Sequence, residues 1–135
     1  MRRTFTLVLI ALPIMLVLDL AWVGVVANSF YRAQLGYLYA PQTIWQAAAI
    51  FYAIYILGFA YFVLEPAVRV HSFKKVLFEA VFFALVAYGT YDLTSLATTT
   101  GWPLPMTVVD MLWGVVCAVV TAGATYVIGT RVFKL

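Results

Sequence analysis

At 135 residues, 66% hydrophobic and only 10% charged, with a mean hydropathy of +1.04, the chain is too apolar for a water-soluble globule. Its formal net charge is +3, but the basic residues flank apolar runs, where lipid headgroups would meet them, and this excludes a nucleic-acid-binding patch. One cysteine, Cys117, excludes a disulfide framework or a thiolate metal site within a single chain.

The expected fold is all-α: an integral membrane four-helix bundle forming one domain over residues 1–135. Four apolar runs are drawn at about Thr4 to Ala27, Gln42 to Leu64, Lys75 to Thr98 and Leu104 to Thr130. Each is long enough to cross a hydrocarbon core about 30 Å thick. The in-out alternation of barrel strands is missing from all of them.

Arg2 and Arg3 before the first run resemble a secretory signal, but the run is longer than a signal core, carries Asp19 and Trp22, and lacks a small-residue cleavage site. It is therefore expected to be retained as the first span. Asn28 to Pro41 follows as the longest connection, an outer interfacial loop rich in tyrosine, with a short interfacial helix ending near Gly36. Glu65-Pro66 is expected to end the second helix. The middle loop carries His71, read as an ordinary loop residue. Thr100-Gly101-Trp102-Pro103 forms the last turn.

Seven basic residues, Arg2, Arg3, Arg69, Lys74, Lys75, Arg131 and Lys134, fall on one side of this topology, with only Arg32 on the other. The positive-inside rule then places both termini and the middle loop in the cytoplasm, for a multi-pass membrane protein.

Asp19, Asp92 and Asp110 lie inside the apolar runs, each costing about 2.5–3.5 kcal/mol to insert near a span centre. Counted along the helices, Asp19 falls about 22 Å from Thr4, Asp92 about 25 Å from Lys75, and Asp110 about 9 Å below the outer end of its helix. All three are therefore expected in one outer-leaflet layer. Asp19 is followed three residues later by Trp22, and Asp110 by Trp113, so each aspartate shares a helical face with a tryptophan. Tyr88, Asp92, Ser95 and Thr99 form a polar stripe on the third helix, and the second adds Gln46 and Tyr52. No lysine or arginine lies deep in a span, so the carboxyl groups need a proton, a hard cation or an ion pair, and Arg32 is the one topologically available partner for Asp19 or Asp110.

Glu65 and Glu79 are expected to pair with Arg69, Lys74 or Lys75. Trp22, Trp102 and Trp113 are read as anchors or packing residues, and Tyr52 and Tyr55 as core. Ala80, Ala84 and Ala87, with Gly114, Ala118 and Ala122, are read as close-packing faces.

Leu18-Asp19-Leu20-Ala21-Trp22-Val23-Gly24, Phe30-Tyr31-Arg32 with Leu35-Gly36, and Phe51-Tyr52-Ala53 with Tyr55 and Gly58 resemble the bacterial membrane family catalogued as domain of unknown function 2177. So do Tyr88-Gly89-Thr90-Tyr91-Asp92-Leu93-Thr94, Ala97-Thr98, Gly101-Trp102-Pro103-Leu104, and Val109-Asp110 with Trp113-Gly114. Ser95 stands where the family pattern has asparagine, a hydroxyl in place of an amide. The resemblance implies a four-helix membrane protein and carries with it no activity, substrate or catalytic residue.

Two functional readings follow. In the first, Asp19, Asp92 and Asp110, with Tyr88, Ser95, Trp22, Trp113 and Arg32, form an outward-facing site that binds or conducts a proton, a cation or a small cationic solute. In the second, the chain is a non-catalytic accessory subunit of a larger membrane complex and the aspartates only fasten its bundle. Neither reading includes a cofactor or an enzymatic step, since no phosphate loop, histidine-rich metal spacing or nucleophile–base arrangement is legible. The expected partners are the lipid bilayer and, because four helices are too few for a wide pore, a second copy or a larger complex.

Overall fold

The computed structural model describes all 135 residues, Met1–Leu135, and is wholly helical, with four rods long and apolar enough to cross a membrane. The first rod runs from α1 (Arg2–Ala21) through a wide π-helical stretch (Trp22–Ala27) into α2 (Asn28–Leu35) and a closing 3₁₀ turn (Gly36–Leu38). The second joins α3 (Trp45–Phe59) through another π stretch (Ala60–Leu64) to α4 (Glu65–Arg69). The third and fourth are the single helices α5 (Phe73–Thr98) and α6 (Leu104–Arg131).

Two of these rods exceed the expected spans for physical reasons. Pro66 does not end the second helix. Its ring would crowd the carbonyl of Phe62 in a regular α-helix, and the wider turn at Ala60–Leu64 relieves that clash and lets the rod continue to Arg69. The short helix expected to end near Gly36 is present as α2, but no break at Asn28 separates it from the first span. The π stretch carries it on unbroken to Leu38, and Tyr37 donates to the carbonyl of Gly101 at 2.9 Å, tying the rod's far end to the α5–α6 turn.

The turns show how the sequence sets helix ends. Ser72 caps α5 by accepting from the Lys75 backbone N–H at 3.2 Å. Gly101 takes φ +76°, a left-handed conformation that turns the chain after α5. Pro105 sits in the first turn of α6, where no intrahelical donor is lost. On the exposed face of α5, Thr90 and Thr98 donate to the carbonyls of Val86 and Thr94 at 2.6 and 2.7 Å, and Thr94 bonds back to Thr90. Hydroxyls satisfied by their own helix are compatible with lipid contact.

The bundle is tightly closed at the end bearing most of the basic residues and splayed at the other. Leu7, Ala11, Phe59, Val63, Ala80 and Ala122 are among the side chains buried in the closed half. α5 and α6 make the largest helix–helix interface. Ala80, Ala84, Gly114, Ala118 and Ala122 are buried there, as expected for small residues that let backbones approach where hydrophobic burial gives no drive. Glu65 pairs with Arg69 at 3.0 Å and Glu79 with Lys75 at 2.6 Å, and these are the chain's only ion pairs. Thr4 of α1 also donates to Glu65, locking α1 to α4.

Toward the opposite end the first turns of α3 stand away from the bundle, and residues 41–51 are all exposed. The separation leaves an apolar crevice of about 830 Å³ between α1 and α3, and on the other side a cavity of about 330 Å³ among α3, α5 and α6. Asp19 lines the first opening and Asp110 the second, while Asp92 is buried in the interior.

Candidate functional site

The aspartates occupy two tiers. Asp19, on α1, is the deeper. Its Oδ1 accepts from the Trp113 indole N–H at 3.1 Å and from the Cys117 thiol at 3.7 Å, both on α6, and its Oδ2 accepts from the Tyr52 hydroxyl of α3. One carboxyl group thus gathers donors from two other helices. Beneath it is a cavity of about 20 Å³ bounded by Asp19, Tyr52, Tyr55, Tyr88, Cys117 and neighbouring apolar groups. That volume is of the order needed for a single water molecule.

Asp110, near the start of α6, belongs to the upper tier. Its Oδ1 accepts from the Tyr31 hydroxyl at 2.5 Å, and that hydroxyl in turn accepts from the Trp22 indole at 3.1 Å. Asp92, on α5, lies close to Asp110. It is fully buried, at 0% exposure, yet no protein group hydrogen-bonds to either of its oxygens. Burying a carboxyl group without a donor is costly, and the other two aspartates avoid that cost.

Between the tiers Trp22 and Trp113 stack face to face, ring centroids 4.4 Å apart and planes 3° apart. Two hydrogen-bonded chains, Tyr52–Asp19–Trp113 and Trp22–Tyr31–Asp110, therefore meet at the indole stack. Donors on α6 one and two turns beyond Asp110 hold Asp19, so its carboxylate lies about 5 Å or more nearer the basic end. This replaces the single layer expected from counting along each helix. The count treats every helix as starting at a common plane, whereas the indole stack and the donors of Asp19 set the register of α1 against α6.

Tyr88 crosses from α5 to pack directly on Gly114 of α6. A Cβ at position 114 would overlap the tyrosine ring, so the glycine makes room for this side chain between the tiers. Phe51, Ala87, Tyr88, Tyr91 and Asp110 line the 330 Å³ cavity, and Tyr91 is braced edge-on against Trp102 with centroids 5.5 Å apart.

Other residues read as part of the site stand apart from it. Arg32 pairs with neither Asp19 nor Asp110. Its Nε donates to Asn28 at 2.8 Å and its guanidinium lies 5.6 Å from the Tyr39 ring centroid, because the continuing helix turns it to the outer rim. Ser95 is half-buried and makes no side-chain hydrogen bond to the aspartates, and Gln46 lies on the exposed, splayed half of α3. Nor do three acidic, histidine or cysteine side chains come together as a metal-binding group. The three carboxylates therefore do not form a single shared cation shell, one of the alternatives open to them beside a proton and an ion pair.

Two contributors escaped the sequence reading, Tyr31, assigned to the outer loop, and Cys117, assigned only to the fourth span, while Tyr52 was named beside the polar stripe but also read as core packing. For Tyr52 and Cys117 the available signal was a polar tip within an apolar run. For Tyr31 it was the lack of any proline between Trp22 and Leu35.

No curated protein and no solved structure matches the chain. The family described as a predicted membrane protein, domain of unknown function 2177, matches residues 4–127. With nearly all of its length covered, and four membrane-length helices that agree with the description, the chain belongs to that family.

Proposed function

We propose that this membrane protein binds, and with a partner conducts, a proton, a cation or a small cationic solute through the Asp92–Asp110 pair. The carrying observation is the fully buried Asp92, whose oxygens no protein donor satisfies and which faces a second carboxyl group. Two adjacent carboxylates in a poor dielectric do not both stay charged alone, so they share a proton or recruit a cation. Asp19 has the opposite character. Its three donors make it the fastener of α1, α3 and α6, so the two roles weighed for the aspartates are divided between residues.

The excess of basic residues at the closed end supports an orientation with both termini in the cytoplasm of a bacterial cell and the splayed end outward. The apolar packing of the closed half supports a second copy or a partner subunit for passage across the whole membrane. Binding and transfer are the proposed chemistry, without an enzymatic step.

A second reading, the non-catalytic accessory subunit, draws on the splayed half of α3. Ile44, Trp45, Ile50, Phe51 and Ile54 there are all exposed and suit packing against a larger complex.

Reconstitution separates the two. Proteoliposomes holding the protein are expected to show proton or cation movement that Asp92→Asn abolishes, while the variant stays folded by circular dichroism. Wild type inert to every imposed gradient, together with an Asp92→Asn that fails to fold, overturns the first reading in favour of the second.

A further inference from the structure

We infer that the 330 Å³ cavity beside Asp110 is a cage for a small quaternary or alkyl-substituted ammonium ion. This rests on the cation-binding reading above and names the class of cation.

The lining sets the chemistry. Phe51 of α3 and Tyr88 and Tyr91 of α5 supply three aromatic rings, Ala87 supplies a small floor, and Asp110 of α6 is the only ionisable carboxyl group in the wall. Ring faces attract a diffuse cation through their quadrupoles, and the attraction strengthens where water is excluded. A bare metal ion gains little from three rings, because it needs several oxygen donors to replace its hydration shell. An alkylated ammonium carries little hydration to lose and fills an apolar cage with its methyl groups.

The geometry leaves the counter-ion usable. The hydrogen bond to Asp110 comes from Tyr31 and falls on Oδ1, while the residue also lines the cavity. Asp92 lies close to it, fully buried and without a protein donor, so the pair, sharing one proton, keeps a single negative charge beside the cage. Two walls are held in place by other side chains. Tyr88 is seated on Gly114, and Tyr91 is braced by Trp102. Phe51, the third wall, lies on the splayed part of α3 and is 59% exposed, and with Tyr91 it forms the open side of the cage.

Calorimetric titration of the full-length protein in detergent micelles tests this. The probes are choline, its uncharged carbon analogue 3,3-dimethyl-1-butanol, and sodium. Choline is expected to bind at least about tenfold more tightly than either of the others. Tyr91→Phe, which keeps the ring, should leave choline binding within about threefold, whereas Tyr91→Ala and Phe51→Ala should each weaken it by about tenfold. Both alanine positions are largely exposed, and thermal melting checks that the variants fold.

Choline no tighter than its neutral analogue, or unchanged by both alanine variants, overturns the cage. If sodium or protons still bind in a manner that depends on Asp92, the carboxyl-pair reading stands without it. If no ion binds at all, both fall.

Discussion

Trp22 and Trp113 lie stacked between the two aspartate tiers, and each serves the aspartate of the other's helix. Trp113 donates to Asp19 on α1, and Trp22 reaches Asp110 on α6 through the Tyr31 hydroxyl. The matching Asp-x-x-Trp pairs are thus crossed, clasping the first and last rods together. Trp113→Phe keeps most of the stacking and deletes only the donor to Asp19. A loss of about 0.6–1.7 kcal/mol is expected in a denaturant titration in detergent, the range of interhelical hydrogen bonds in membrane bundles. A double-mutant cycle with Asp19→Leu, which removes the acceptor, should recover that coupling, and strictly additive losses would show that the indole and carboxylate do not interact.

Asp92 and Asp19 should respond in opposite directions to removal of the carboxyl group. Asp92→Leu exchanges an unsatisfied buried group for an apolar one of similar size and is expected to hold or raise the melting temperature while ending cation binding. Asp19→Leu strands the donors of Tyr52, Trp113 and Cys117 and should lower it. Thermal unfolding of the two variants side by side decides whether fastening and binding are divided in this way.

Gly114→Ala places a methyl group where the Tyr88 ring lies. Overpacking of this kind costs about 1–3 kcal/mol. Tyr88→Ala alone should also destabilise, by leaving a void, but the double variant should be more stable than the sum of the singles predicts. Additive losses in the melting curves would mean that the ring and the glycine do not meet.

At the closed end, Thr4 donates to Glu65, which also receives Arg69. Thr4→Val removes that link between α1 and α4 and is expected to cost about 1–3 kcal/mol, whereas Thr4→Ser, which keeps the hydroxyl, should fall near wild type. Unfolding curves that do not separate valine from serine would remove the hydroxyl from the account.

The alanine and glycine faces of α5 and α6 were legible in the sequence because they depend on helical periodicity alone, as were the i to i+4 ion pairs of Glu65 and Glu79. Arg32 was not. Its position on the outer side made it a partner for an aspartate, but the uninterrupted helix after Trp22 carries it to Asn28 and Tyr39 instead. A π turn has no strong signature in composition, so the first rod was expected to stop short, and the return of Tyr31 to Asp110 was missed with it.

The sequence by itself determined the solvent and the secondary structure. Apolar runs of membrane length must satisfy their backbone internally, so they form helices, and rise per residue places the aspartates in the half away from the basic residues. Which aspartate is satisfied and which is left without a donor was decided only by the tertiary structure. Interhelical register and rotation depend on how small residues, stacked indoles and widened turns pack, and a shift of one turn on any helix exchanges every partner.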